Sequence, residues 1–186
     1  MTRREVHGDL PDLIAKRAEL SPARVAMAEH ATGRKVTYFE LDARAAAAAS
    51  LMAQRGVKPG DRVAILCRNR IAFFEILFGC AKLGAILVPL NWRMPPAELD
   101  GLIADCDPAL LFFGGAEMAT VAALAAAPPA LGLDEAYETA LSAAEPRTWR
   151  RSWPAESSWY LIYTSGTTGR PKGVIYAYRM ALANHV

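Results

Sequence analysis

The stretch RVAILCRNRIAFFEILFGCAKLGAILVPLNWRMPPAELDGLIADCDPALLFF, residues 62–113, holds short apolar runs separated by helical patterns. The apolar runs, each short enough for a buried strand, are Arg62–Cys67, Ala85–Leu90 and Ala109–Phe113. We expect one helix over Arg70–Leu83, capped by Asn69, and a second that Pro95-Pro96 opens. Strands and helices that alternate at this spacing are typical of right-handed βαβ units. The stretch therefore predicts an α/β fold with a mainly parallel sheet and flanking helices.

Upstream of this stretch, the pattern predicts a helix over Leu10–Leu20 and a small hairpin of Val25–Glu29 with Lys35–Thr37. Thr37 and Glu40 have the spacing of a capping box, in which each side chain bonds the backbone amide of the other residue. An alanine-rich helix is expected to follow and to run to Arg55.

Downstream, the periodicity fades, and Glu145–Ser158 has the composition of a surface loop. Trp149 and Trp153 lie in this segment, and we expect them to attach it to the body of the domain. Two further strands are predicted at Trp159–Thr164 and Gly173–Tyr178, on either side of a loop rich in glycine and threonine.

The composition suits one compact domain, or one domain with part of another. The chain has 186 residues, 53% of them hydrophobic, and a formal net charge of +2 gives no reason to expect a nucleic-acid partner. Three cysteines without C-x-x-C spacing predict buried thiols in a reducing cytoplasm, with neither disulfides nor a zinc site. No apolar run is long enough to predict a membrane span, and the start of the chain does not resemble a signal peptide.

The loop between the last two predicted strands carries the chemistry. Its sequence, with part of each strand, is YTSGTTGRPKGV, residues 163–174. Gly166 and Gly169 let backbone amides approach a ligand closely. Hydroxyl groups that can donate to anionic oxygens come from Thr164, Ser165, Thr167 and Thr168. Lys172 adds a positive charge suited to phosphate, and no acidic residue interrupts the run, so the loop is predicted to bind a polyphosphate.

The spacing of this loop separates it from two common nucleotide-binding motifs. A Walker loop has a glycine, four residues and then Gly-Lys-Ser/Thr, whereas here Pro171 is the fifth residue after Gly166 and Lys172 precedes Gly173. A dinucleotide fingerprint, G-x-G-x-x-G, is also missing from the sequence. Because a strand is expected to follow, we predict a hairpin-like loop that closes over phosphates, and a Walker-type phosphotransferase is disfavoured.

The run 163–174 resembles the signature loop of the adenylate-forming (AMP-dependent synthetase/ligase) superfamily at nearly every position. Three upstream segments, GDRVAI at 60–65, AKLGA at 81–85 and VPLNWR at 88–93, resemble segments of fatty acyl-CoA and aryl-CoA ligases. The resemblance extends from about Leu10 to the end of the sequence. It implies that residues 1–186 are the N-terminal part of the large AMP-binding domain, with the phosphate loop at 163–174.

The resemblance also implies the reaction and its participants. Such enzymes use Mg²⁺ and ATP to convert a small carboxylic acid into an acyl-adenylate, and coenzyme A then accepts the acyl group. The residues that this assigns to the triphosphate are Thr164, Ser165, Gly166, Thr167, Thr168, Gly169 and Lys172. Thr164 is in addition the candidate contact to Mg²⁺. Asn91 and Arg93 are candidates for shaping the loop near the active site.

One departure from the family pattern lies after the loop. The family often has Thr-His on the next strand, whereas this sequence has Ala177-Tyr178, which we expect to alter the acyl pocket or substrate entry. The three histidines, His7, His30 and His185, have no triad or metal spacing, so we expect none to be catalytic.

The resemblance places the metal-binding glutamate, most of the acyl pocket and the catalytic lysine of a C-terminal domain later than residue 186. We therefore expect no catalytic residue in this chain, no C-terminal domain, and no adenylation by the chain alone. A peptide-synthetase adenylation domain and a non-catalytic remnant of the fold remain alternatives, although VPLNWR favours an acyl-CoA ligase. Exposed apolar sheet edges would favour self-association.

Overall fold

A computed structural model describes residues 8–30, 32–145, 147–164 and 171–183, without the side chains of 181–183. In chain order, the first elements are β1 (Asp9–Pro11), α1 (Leu13–Leu20), β2 (Val25–Ala28), β3 (Lys35–Thr37), α2 (Tyr38–Gln54), β4 (Arg62–Leu66), α3 (Ile71–Leu83), β5 (Ile86–Leu90) and α4 (Pro96–Cys106). They are followed by β6 (Leu110–Phe113), a 3₁₀ turn (Gly115–Glu117), α5 (Met118–Ala122), β7 (Ala130–Gly132), α6 (Glu135–Ser142), β8 (Ser152–Pro154), β9 (Ser158–Thr164), β10 (Lys172–Ala177) and α7 (Tyr178–Ala183).

The central sheet has six strands in the order β10-β9-β5-β4-β6-β7. Neighbouring strands from β9 to β7 are parallel, and β10 pairs antiparallel with β9 at one edge. The predicted α/β fold with a mainly parallel sheet is therefore confirmed. The antiparallel edge follows from the short connection between β9 and β10, because parallel neighbours need a longer crossover.

Helices α3 and α4 cover opposite faces of this sheet, because the chain runs from β4 to β5 in one direction and back across β4 to β6. Val63 and Ile65 of β4 pack with the α3 side, whereas Ala64 and Leu66 pack with the α4 side. On α4, the four apolar residues at helical spacing are all buried: Leu99, Leu102, Ile103 and Cys106. Burial on both faces explains why β4 is continuously apolar instead of alternating.

Helix α2 begins with the predicted capping box. The Thr37 hydroxyl accepts from the Glu40 amide, and Glu40 Oε2 accepts from the Thr37 amide at 2.7 Å. The alanine tract of α2 allows a close approach to α3, where a Cβ added at Gly79 would lie 3.0 Å from Ala48 Cβ. Small residues on both helices therefore set their separation.

The predicted cap of α3 is wrong. Arg70, not Asn69, is the N-cap residue, and its side chain makes no capping hydrogen bond. The amide of Ile71 instead donates to Glu29 Oε1 at 3.3 Å. A carboxylate from the β2–β3 hairpin thus satisfies the start of the helix and complements its dipole, a long-range contact that local sequence does not reveal.

Two buried ionic groups join the helices. Lys82 of α3 donates to Asp12 Oδ2 at 2.7 Å and lies 2.6 Å from Asp42 Oδ1, a charge contact outside hydrogen-bond geometry. Glu75 is fully buried, and its carboxylate accepts from Arg44 and from the Tyr137 hydroxyl, at 2.9 Å for the latter. Each buried charge therefore has opposite charge beside it, as burial requires.

The segment predicted as a surface loop contains a strand that the sequence did not indicate. Residues Ser152–Pro154 form β8, which pairs antiparallel with β1. The expectation for the tryptophans is confirmed, because Trp149 Nε1 donates to the Ala46 carbonyl at 3.1 Å and Trp153 is buried. Strands β1 and β8 have three residues each and are far apart in the sequence, so they lack both a periodic signal and the adjacent hairpin partner that marks β3.

Candidate functional site

The last two strands form a hairpin that brackets the predicted phosphate loop. Thr164 ends β9 and is the cross-strand partner of Lys172, the first residue of β10. Both residues are exposed. The hairpin-like setting expected for the loop is confirmed at its two strands. The candidates within the loop, outside the described residues, are Ser165, Gly166, Thr167, Thr168 and Gly169.

The mouth of the hairpin lies at the carboxyl edge of the parallel sheet. Because β9 runs parallel to β5, Thr164 is at the same edge as Leu90. Ligands of open α/β sheets bind in crevices outside this edge. The hydroxyl of Thr164 and the ammonium of Lys172 are therefore placed where a ligand is expected.

A cleft of about 700 Å³ opens between the hairpin, the end of β5 and helix α4. Its lining residues are Pro89, Leu90, Asn91, Met94, Glu98, Leu102, Ile162, Tyr163, Thr164 and Pro171. Sequence reasoning identified Thr164 and Asn91 as site candidates but missed Tyr163 and Glu98. Glu98 lies in the first turn of α4, and the orientation of that helix toward the hairpin is not a local sequence signal.

Tyr163 connects the hairpin to α4. Its hydroxyl donates to Asp105 Oδ2, next to the thiol of Cys106. Burial, followed by the hydrogen bond to Asp105, raises the pKa of Tyr163, so the phenol keeps its proton at neutral pH. The residue next to Thr164 is thereby fixed to a helix on one face of the sheet.

A second group of side chains lies where the strand order reverses, between the carboxyl ends of β4 and β6. Arg68 and Arg93 place their guanidinium carbons 4.6 Å and 4.1 Å from the centroid of the Trp92 ring. Arg68 also lies 3.5 Å from buried Glu117. Such a reversal is the usual binding crevice of an open α/β sheet, and here it carries exposed positive charge.

Asn91 and Arg93, which were expected to shape the loop near the active site, lie together in the turn after β5. Asn91 Oδ1 accepts from the amide of Arg93 at 3.0 Å, which fixes the turn after β5.

Cys67, just after the end of β4, is half-buried, and burial raises its pKa to about 11. The thiol therefore stays protonated at neutral pH and is a poor nucleophile.

Tyr178 lies at the opposite edge of the sheet from the phosphate loop. Its ring stacks between Trp153, with centroids 5.8 Å apart, and Trp159, with centroids 5.2 Å apart. The side chain is 4% exposed. Tyr178 does not line the cleft beside Thr164, and its effect on the acyl pocket or substrate entry stays a prediction.

The described residues fit a magnesium ion that arrives with a nucleotide. In that part of the chain, no group of three or more His, Cys, Asp or Glu residues is arranged to hold a metal ion. Mg²⁺ in nucleotide sites is usually held by one or two protein oxygens together with phosphates and water. A single hydroxyl, such as that of exposed Thr164, suits this arrangement.

Among the described helices, none is long and apolar enough to cross a bilayer.

Comparisons with known proteins agree with this geometry. A family model described as AMP-binding enzyme matches residues 14–186. A long-chain-fatty-acid–CoA ligase, FadD13 of Mycobacterium tuberculosis, is 33% identical over 175 residues, which are 89% of this chain and 34% of that protein. A feruloyl-CoA synthase of an Amycolatopsis species is 39% identical over 160 residues, 86% of this chain and 31% of that protein.

Among solved structures, the inhibitor-bound N-terminal domain of FACL13 from Mycobacterium tuberculosis superposes with a TM-score of 0.81 at 30% identity. The match covers 89% of this chain and 43% of that one. The chain thus spans about a third of the length of the curated relatives it matches. By the family model, the shared sequence and the shared fold, it belongs to the AMP-binding enzyme family and corresponds to the N-terminal part of those enzymes.

Proposed function

We propose that the protein carrying this chain is an ATP-dependent acyl-CoA ligase. It activates a small carboxylic acid as an acyl-adenylate and transfers the acyl group to coenzyme A. The observation that carries the proposal is the run TSGTTGRPKG between paired strands β9 and β10, at the carboxyl edge of the sheet. The relatives named for fatty-acid and feruloyl ligation support the same class of reaction.

In this proposal, the loop binds the β- and γ-phosphates of ATP. The phosphate contacts come from Thr164, Ser165, Gly166, Thr167, Thr168, Gly169 and Lys172. Glycine amides and hydroxyls supply neutral donors, and Lys172 supplies the positive charge. Thr164 is the contact to Mg²⁺, which neutralises phosphate charge when it is bound.

The chemistry that these residues assist is a displacement at phosphorus. An oxygen of the substrate carboxylate attacks the α-phosphorus, and the bond to the β-phosphate oxygen breaks, so that pyrophosphate leaves with the electron pair. Lys172 stabilises the negative charge that develops on pyrophosphate. The sulfur of coenzyme A then attacks the acyl carbon, the thiol loses its proton, and AMP leaves. This chain contributes positioning and charge, and we assign no catalytic residue in it.

The arginine pair at the strand-order reversal supports coenzyme A as the acyl acceptor. Arg68 and Arg93 carry guanidinium groups at a binding crevice, and guanidinium groups bind phosphates well. The Trp92 ring, which both guanidinium groups contact, holds the two positive charges close together. Coenzyme A has phosphates, so this group of side chains matches its chemistry.

The two alternatives make different predictions. A peptide-synthetase adenylation domain would activate an amino acid and would not need free coenzyme A. A non-catalytic remnant would bind nucleotide weakly or not at all. The segment VPLNWR, whose Trp92 and Arg93 lie at the arginine pair, favours the acyl-CoA ligase.

Cellular location and self-association are further parts of the proposal. We place the protein in the cytoplasm, since the three cysteines are free thiols and a reducing compartment keeps thiols free.

We also propose that the 186-residue chain self-associates through β10, where Val174 and Ile175 are 47% and 60% exposed. An edge strand with exposed apolar residues is a template for pairing.

The experiment that tests the function is isotope exchange between ATP and pyrophosphate, stimulated by an added carboxylic acid. Fatty acids of increasing length, aryl acids related to ferulate and a set of amino acids form the panel. We expect exchange with an aliphatic or aryl acid, and consumption of coenzyme A when it is added. Exchange with amino acids alone would support the peptide-synthetase alternative, and no exchange by the full-length protein would contradict the proposal.

The same assay applied to the 186-residue chain tests a narrower claim. We propose that this chain alone does not form acyl-adenylate, because it spans about a third of the relatives' length. Formation of acyl-AMP by the purified chain would overturn that claim without contradicting the assigned reaction.

A further inference from the structure

We propose that Tyr163 and Asp105 form a latch that positions the two strand ends of the candidate phosphate site, Thr164 and Lys172, against helix α4. The latch is the hydrogen bond from the Tyr163 hydroxyl to Asp105 Oδ2. For its effect on ATP, the inference rests on the proposed function. Neither residue touches the reacting atoms, so both are positioning residues.

The first support is the place of Tyr163 in the hairpin. It precedes Thr164 in β9, and its cross-strand partner is Gly173, which follows Lys172 in β10. The latch therefore acts on the pair of residues directly next to the two described phosphate candidates. A displacement of the phenol moves both strand ends together, because the ladder joins them.

The second support is the packing around Gly173. A Cβ added there would lie 2.9 Å from Leu161 Cδ1 and 3.5 Å from Tyr163 Cε1. The missing side chain thus leaves room for Leu161 and Tyr163 to lie across β10 and pack against the apolar cluster under α4. The absence of a side chain at Gly173 therefore lets the Tyr163 phenol reach α4 and form the latch.

The third support is the position of Asp105 in α4. A carboxylate in the last turn of a helix opposes the helix dipole, and this turn contains no basic residue of its own. Arg62 offsets part of that cost, since its Nε donates to the Cys106 carbonyl at 2.6 Å. Asp105 has its clearest partner in Tyr163. This favours the view that Asp105 holds the hairpin and does not stabilise α4 itself.

The fourth support is the cleft. Tyr163 lines it together with Thr164 and Pro171, and Met94, Glu98 and Leu102 of the opposite wall continue toward Asp105. The latch lies at the inner end of this wall, so it sets the distance between the hairpin and α4. A looser latch widens the cleft beside Thr164 and Pro171, and it displaces Lys172, the cross-strand partner of Thr164.

The test is a double-mutant cycle in the full-length protein. Tyr163→Phe removes the hydroxyl and Asp105→Ala removes its acceptor, while Asp105→Asn keeps an oxygen that can accept. We expect the two disruptive changes to raise the KM for ATP about tenfold each. A small misplacement of the phosphate-binding strand ends is enough to cause an effect of this size. The double variant should be no worse than either single variant, and Asp105→Asn should stay close to wild type.

The matched control is Tyr137→Phe. It also removes a tyrosine hydroxyl bound to a carboxylate, that of Glu75, but in the body of the domain. We expect it to lower the unfolding midpoint and to leave the KM for ATP unchanged. An unchanged KM in Tyr163→Phe, or additive effects in the cycle, would overturn the latch even though wild-type exchange supports the function.

A second readout needs no activity. We expect trypsin to cleave the native 186-residue chain between Lys172 and Gly173 about tenfold faster in Tyr163→Phe than in wild type or Tyr137→Phe. Cleavage after buried Lys82 reports global unfolding and serves as the internal reference. Equal rates after Lys172 in all three proteins would overturn the latch, whatever the outcome of the exchange assay.

Discussion

The strand β4 and the strand β10 lie in the same sheet and are similarly apolar, but they differ in what covers them. In β4, four of the five residues are buried, whereas in β10 the first four residues are exposed and Ala177 alone is buried. The difference separates two tasks. The parallel core supplies stability. In our proposal, the hairpin presents its strand ends to a phosphate ligand and its exposed apolar residues to a second copy of the chain.

The largest effect is expected in the core. Phe112 of β6 is fully buried and lies edge-on to Tyr137, with ring centroids 6.0 Å apart. Phe112→Ala should lower the free energy of unfolding by about 4 kcal/mol, through lost burial and the cavity left behind. Urea unfolding of the 186-residue chain measures it. A loss under about 1 kcal/mol would show that the parallel core is not the source of stability.

A slightly smaller effect is expected at the buried ionic group of Lys82. Lys82→Ala leaves the carboxylates of Asp12 and Asp42 without their cation, so the free energy of unfolding should fall by about 3 kcal/mol. The matched control is Lys16→Ala, which breaks the exposed pair with Glu19 and should cost less than about 1 kcal/mol. Urea unfolding measures both variants. Equal losses would contradict the claim that the buried ionic group contributes more to stability than the exposed pair.

A local effect of about 1 kcal/mol is expected from Thr37→Ala, because the change removes the hydroxyl that caps α2. Thr148→Ala is the control, as Thr148 is exposed in the loop before β8, outside any helix. Thermal unfolding followed by circular dichroism compares the two. A Thr37→Ala protein as stable as wild type would mean that packing alone sets the start of α2.

The smallest effect on stability is expected at β10. Ile175→Thr should change the free energy of unfolding by less than about 0.5 kcal/mol, since the side chain is 60% exposed. It should nevertheless reduce self-association, as measured by sedimentation velocity over a range of concentrations. If Ile175→Thr destabilised the chain as much as Phe112→Ala, the contrast between core and hairpin would fail.

Much of the fold could be predicted because its signals are local. The apolar runs that became β4, β5 and β6 and the capping box at Thr37 each depend on neighbouring residues. The strands β1 and β8 were missed because each has three residues and exists through pairing with the other. The cap at Asn69 failed for a related reason, since Glu29 from another element satisfies the helix start.

The candidate site divides in the same way. The residue types of the loop and the hairpin around it could be predicted from YTSGTTGRPKGV, and the strand ends Thr164 and Lys172 lie together as expected. The contributions of Tyr163, Asp105 and Arg68 could not, because each depends on an element distant in sequence. The stack around Tyr178 could not be predicted either, since its partners Trp153 and Trp159 precede the loop.

The most direct test of the central claim, that the β9–β10 hairpin carries a phosphate-binding site, is calorimetric titration of Lys172→Ala with ATP. The full-length protein is used, and Arg179→Ala, which removes an exposed cation paired with Glu156 beyond β10, is the matched control. We predict that Lys172→Ala weakens ATP binding by about tenfold or more, as expected for a charged hydrogen bond, while Arg179→Ala binds like wild type. Equal ATP affinities in wild type and Lys172→Ala would contradict the claim.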